Sequence, residues 1–203
     1  MRPASGPERL FVALDLDGAT RERVVRSTER LLAHPEMGSG WKPVGQEQLH
    51  LTLKVLGAVD GERVGDVEAA LTAACAGHPP FELRLENAGA FPNASHASIV
   101  WIGINAGAPE LARLAGSIDE ACASLGFGRE QRAFQAHLTV ARHTRRTRSP
   151  SVKSALETWA IEPLAPLAVE DVVLYRSELR PTGAVHSKVT TVQLADGKMP
   201  RSV

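Results

Sequence analysis

Two short segments of the sequence repeat one pattern. The first is Leu49-His50-Leu51-Thr52-Leu53, and the second is Ala136-His137-Leu138-Thr139-Val140. An unperturbed imidazole titrates at about 6.5, so one neutral and one protonated histidine coexist near neutral pH. Such a pair suits the opening of a cyclic phosphodiester by water. One ring takes a proton from the water, and the other gives a proton to the departing ribose oxygen. Each group of this kind is worth about 10²–10⁴-fold in rate. The pentavalent phosphorus also needs donors on its nonbridging oxygens, and two threonine hydroxyls beside the histidines can supply them. This chemistry asks for no metal and no cofactor.

Both segments read as strands, where side chains alternate between faces. His50 and Thr52 then share one face, and Leu51 and Leu53 the other. His137 and Thr139 pair in the same way against Leu138 and Val140. A lone His-x-Thr is ordinary, because threonine is a common strand former and histidine often sits half-exposed on a sheet. Strand propensity gives no reason for the histidine to recur with the same parity and the same following leucine. The repeat therefore predicts two duplicated lobes whose polar faces converge in one cleft.

The elements that must hold these faces follow from patterning. Extended runs are expected at 10–16, 41–44, 49–56, 81–85, 98–104, 134–142, 169–175 and 187–194. Helical spacing is expected at 19–33, at 60–76 and from Leu111 to Leu125. Ser149-Pro150 reads as the cap and first position of a helix containing Val152, Leu156 and Trp159. Several strands alternate apolar and polar residues, which favours an α+β fold with antiparallel sheets over a doubly wound parallel one. The 203 residues suit a single domain over 1–203, with polar tails at about 1–8 and 197–203.

Lys+Arg and Asp+Glu balance at 23 each, so attraction to phosphate has to be local. The start of the sequence is polar and lacks an apolar signal core, and no run reaches the roughly 18 apolar residues of a membrane span. With only two cysteines, Cys75 and Cys122, the expectation is a cytoplasmic protein in a reducing setting, not attached to a membrane and monomeric.

The sequence resembles the 2H phosphoesterase superfamily, and within it the RNA 2′,3′-cyclic phosphodiesterases, also called 2′-5′ RNA ligases. The likeness runs from the strand at 10–16 through Trp41 and the block His50-Leu51-Thr52-Leu53-Lys54-Val55-Leu56-Gly57. It continues through Val100-Trp101-Ile102-Gly103, the block from Phe134 to Arg142, and Leu174-Tyr175-Arg176-Ser177-Glu178-Leu179. It implies a bilobal fold, with two antiparallel sheets lining a central cleft and helices on the outer faces. It implies His50 and His137 as the acid/base pair, and Thr52, Thr139 and Arg142 as phosphate ligands. The substrates implied are RNA ends carrying 2′,3′-cyclic phosphates, opened to 2′-phosphomonoesters, with reverse 2′-5′ ligation as the companion reaction. His50 is provisionally the acid for O3′ and His137 the base for water, although the symmetric motifs accommodate either order. Ala136 stands where the family often has proline, and His186 near the place of a frequent tyrosine.

Further expectations attach to neighbouring residues. Strict alternation puts Arg142 on the face opposite His137, so a bulge must redirect it if it binds phosphate. Lys54 shares the parity of His50 and is expected at the cleft rim. The basic run Arg142, His143, Arg145, Arg146 and Arg148 either holds flanking RNA phosphates or is a solvated loop. Core packing is favoured over base stacking for Phe11, Trp41 and Phe134. His34, His78 and His96 read as surface residues, and both cysteines as helix packing. Competing readings are a relative acting on a small cyclic nucleotide and a catalytically inert RNA-binding module. A metallohydrolase lacks the paired ligands it would need.

Overall fold

A computed structural model describes residues 7–144, 150–180 and 183–195. Its centre is β1 (Glu8–Leu14), whose run Leu10 to Leu14 is buried throughout. The chain then turns into α1 (Gly18–Leu32), started by Asp17, whose carboxylate accepts from the Thr20 amide at 2.8 Å and the Thr20 hydroxyl at 2.6 Å. The short β2 (Trp41–Pro43) leads to β3 (Leu51–Val59) and α2 (Val64–Cys75). Next come β4 (Phe81–Leu83), β5 (Leu85–Phe91), β6 (Ile99–Ile104) and α3 (Ala108–Ser124). The chain closes with β7 (His137–His143), α4 (Lys153–Thr158), β8 (Leu167–Val169), β9 (Asp171–Arg180) and β10 (Gly183–Gln193).

Two four-stranded antiparallel sheets result, in the orders β10-β9-β1-β3 and β2-β7-β6-β5, with β4 and β8 forming a separate ribbon. The α+β expectation holds. Each motif strand lies beside the strand that precedes its helix: β1, α1, β3 in one lobe and β6, α3, β7 in the other. The helices cross over. α1 packs on β2 and β7 of the second sheet, while α3 packs on β3 of the first, alongside α2. One hydrophobic core therefore joins both sheets, including Leu10 and Val12 from one and Val100 and Ile102 from the other.

Several sequence expectations shift. The run 81–85 is not one strand. It splits at Arg84, where β4 leaves for the ribbon and β5 joins β6. The last two strands are longer than their apolar cores, because Arg176 to Arg180 and Gly183 to Ser187 pair as a mostly polar hairpin. The β8 strand, only three residues long, gave too short a pattern to read. The last helix begins at Lys153; its N-cap Val152 offers no capping side chain, and the Glu36 carboxylate accepts from the Ala155 amide at 3.0 Å. Ser149 and the stretch Arg145 to Arg148 lie outside the described residues. Cys75 and Cys122 are free, buried on helix faces, and pushed up by that burial, Cys75 to about 11. Among the described residues no helix is long and apolar enough to cross a membrane.

Candidate active site

Leu51 and Leu138 set the orientation of both motifs. Each is fully buried, which is worth about 1.5–3 kcal/mol per leucine. A one-residue slip would expose them, so the alternate residues are fixed on the opposite face. That face lines a cleft of about 770 Å³ between the two sheets, and His50, Thr52, His137, Thr139 and Arg142 all border it. The volume falls within the range of small-molecule sites.

Both imidazoles are held alike. His50 Nδ1 lies 2.7 Å from the carbonyl of Gln48, and His137 Nδ1 lies 2.8 Å from that of Gln135. A carbonyl only accepts, so each Nδ1 carries a proton and donates it. Nε2 is then the nitrogen of each ring left free to accept or give a proton. Thr52 and Thr139 are half-buried, and among the described residues neither hydroxyl has a protein partner.

Arg142 reaches the cleft by the bulge the sequence required. In the β6–β7 register Trp101 pairs with Thr139 and Val100 with Ala141, so Val140 is the extra residue. Val140 and Ala141 both turn inward, and Arg142 returns to the face of His137. Partial burial lowers its pKa, and among the described residues no carboxylate lines the cleft to neutralise it.

The same device overturns the expectation for Lys54. In the β1–β3 register Ala13 pairs with Thr52 and Val12 with Lys54, so Leu53 is the extra residue. Lys54 is turned into the protein, 2% exposed, with Nζ donating at 2.5 Å to both Asp119 Oδ1 and the Gly128 carbonyl. Val55, 58% exposed, takes the outward position.

The rings beneath the two histidines differ. Phe11 is buried under His50, 4.8 Å between centroids, and stacks on Tyr175 at 5.2 Å. His186 stands edge-on to both Phe11 and His50, at 4.9 and 5.3 Å. His50 is lowered to about 4, first by burial, then by the nearby His186 and Arg142, against the pull of the Gln48 carbonyl and Asp15. Burial lowers His186 too. His137 instead meets Phe91 edge-on at 5.0 Å and Trp101 at 6.3 Å. Trp101 lies over Gly89, where any Cβ would collide with the indole.

The motif parity did not identify Gln48, whose amide donates to the Ala184 carbonyl and ties the approach to His50 onto β10. It also missed Arg9 and Lys42, which line the cleft. A signal existed for Arg9, which shares the strand face of Phe11 on β1. Trp41 packs against His143, and Phe134 is half-buried against the core. His34 and His78 are half-buried, bonded to the Glu36 amide and to Ser117, and His96 is exposed.

Comparison with known proteins agrees with this geometry. The sequence profile of the 2′-5′ RNA ligase superfamily matches residues 24–180. The RNA 2′,3′-cyclic phosphodiesterase of Archaeoglobus fulgidus is 38% identical over 178 residues, 88% of this chain and 96% of that one. The enzyme of the same description from Escherichia coli is 34% identical over 140 residues, 68% of this chain and 73% of its own. Among solved structures, a Thermus thermophilus protein superposes with a TM-score of 0.76 at 28% identity, covering 94% of this chain and all of that one. Escherichia coli LigT complexed with 3′-AMP superposes with a TM-score of 0.73 at 26% identity, covering 93% and 98%. By profile, sequence and fold, the chain belongs to the 2′-5′ RNA ligase superfamily, a branch of the 2H phosphoesterases.

Proposed function

We propose that this protein hydrolyses RNA 2′,3′-cyclic phosphate ends to 2′-phosphomonoesters by two-histidine acid/base catalysis. The observation that carries this reading is the pair of imidazoles in one cleft, each with its Nδ1 proton committed to a carbonyl. Relatives described as RNA 2′,3′-cyclic phosphodiesterases support it.

The cyclic phosphate sits against Thr52, Thr139 and Arg142, which donate to its nonbridging oxygens. His137 Nε2 takes a proton from water as the water oxygen bonds to phosphorus. The P–O3′ bond breaks, and His50 Nε2–H gives its proton to O3′. The products are a 2′-phosphate and a 3′-hydroxyl. A 5′-hydroxyl in place of water gives a 2′-5′ linkage by the same steps. This order requires the anionic substrate to recharge His50, which is neutral in the free cleft. The reverse order uses His50 as it stands.

The continuous core supports one domain of two lobes over 1–203. Few large apolar side chains are exposed among the described residues, which supports a monomer. The two buried free thiols fit a cytoplasmic setting.

The test is hydrolysis of an oligonucleotide with a 2′,3′-cyclic phosphate end, in EDTA, with 2′- and 3′-phosphate products resolved. Formation of the 2′-phosphate is expected. A 3′-phosphate product would overturn the assigned leaving oxygen. No turnover of any RNA end would shift the reading to a small cyclic nucleotide, and then to an inert RNA-binding module.

A further inference from the structure

Besides the two histidines, the cleft is lined by Arg9, Lys42 and Arg142. Arg9 and Arg142 face the same hollow as His50 and Thr52, and Lys42 is the cross-strand partner of Arg142. Like charges directly opposite on a sheet repel. Among the described residues nothing offsets them: no lining residue is acidic, and none of the three side chains has an ion pair. Cations close by are treated otherwise. Arg21, Lys54, Arg176 and Lys188 each meet a carboxylate. An arrangement that repels itself when empty is suited to holding anions.

The backbone of Arg9 is set apart from the residues around His50 and Thr52. Arg9 stands four residues along β1 from Ala13, the partner of Thr52, which is about 13 Å at the rise of a strand. Between them the surface is apolar: Phe11 and its partner Val55 line the same hollow. The wall thus runs from phosphate ligands to apolar side chains to a cation. A nucleotide chain repeats that order as phosphate, nucleoside, phosphate.

We propose that Arg9 and Lys42 form a second phosphate subsite, which holds the phosphodiester 5′ to the terminal nucleoside. The preferred substrate is then an oligonucleotide end and not a mononucleoside cyclic phosphate. This assignment rests on the cyclic-phosphate reading above.

The experiment compares a nucleoside 2′,3′-cyclic phosphate with a dinucleotide that ends in the same group. The wild-type protein is expected to favour the dinucleotide by about tenfold or more in kcat/KM, the scale of one charged contact. Arg9→Ala and Lys42→Ala each bring that ratio toward one, mainly through KM. A wild-type ratio near one, or equal losses on both substrates, overturns the subsite. A second readout is independent of turnover. Binding of a trinucleotide bearing a 2′-phosphate end is measured against salt, and each variant is expected to flatten the log–log slope by about 0.7. Lys153→Ala, an exposed cation on α4, serves as control and leaves the slope unchanged. Unchanged slopes in Arg9→Ala and Lys42→Ala overturn the proposal. If the wild-type protein opens neither cyclic phosphate, the hydrolysis reading falls, while the salt slope still decides the subsite.

Discussion

β3 and β7 are two versions of one device. Each opens at or just after a histidine, His137 or His50, whose Nδ1 donates to the carbonyl two residues back. Each carries a threonine two residues on, and each bulges at the next position, Leu53 or Val140. After the bulge they diverge. β3 buries Lys54 and exposes Val55, whereas β7 buries Ala141 and directs Arg142 into the cleft. The backbone is duplicated, but the charge is not. The second lobe contributes a cation to the cleft, and the first commits its cation to the interior.

The largest break in this comparison is removal of either imidazole. His50→Ala and His137→Ala are each expected to lower kcat by about 10²–10⁴-fold. Both rings are only half-buried, so thermal unfolding should remain close to wild type. Full activity in either variant would remove that histidine from the mechanism. Arg142→Ala belongs in the same series, at about 10²-fold, the cost of one aligned donor. Val55→Ala, at the matching position of the other lobe, removes only apolar contact and is expected to raise KM for a mononucleoside substrate by a few fold while kcat is kept.

Lys54 tests the interior half of the difference. Its ammonium joins β3 to α3 through Asp119 and to the following loop through the Gly128 carbonyl. Lys54→Met keeps most of the stem and deletes the charge. A buried pair broken from one side costs about 3–5 kcal/mol. Asp119 keeps some contact with water, so about 3 kcal/mol is expected here, read by chemical denaturation. A loss below about 1 kcal/mol would show that the carboxylate and carbonyl rehydrate freely.

The same bulges mark where the sequence was legible. The repeat located both histidines, both threonines and the antiparallel architecture, because parity and leucine burial are local and strong. Strict alternation then failed for both Lys54 and Arg142, each turned to the other face by an inserted residue. Nothing in Thr-Leu-Lys or Thr-Val-Ala announces a bulge, since it is set by pairing with β1 and β6. The short β8 and the polar hairpin of β9 and β10 were hidden for a related reason: their pairing is nonlocal and their residues carry little apolar signal. Arg9 shares a strand face with Phe11, but that this face meets Lys42 in one cleft follows only from the meeting of two sheets, which no single segment encodes.

The two histidines differ least visibly, and pH brings the difference out. His50 titrates at about 4 in the free protein, below its ordinary 6.5. Its unfolded form therefore binds a proton that the folded form refuses between those values. Stability tied to His50 is complete above about pH 6.5 and is lost as pH falls toward 4. His50→Gln, which cannot titrate, is expected to flatten that part of the stability profile. Imidazole resonances followed by NMR give the direct measurement, first free and then with a 2′-phosphate product bound. A bound anion stabilises the imidazolium. Movement of the His50 midpoint from about 4 to near neutrality would let it serve as the acid for O3′. A midpoint that stays near 4 would assign it the base role and give the proton donation to His137. Either result would show that the lobes, alike in backbone, are told apart by what lies beneath each ring: Phe11 and His186 on one side, Phe91 and Trp101 on the other.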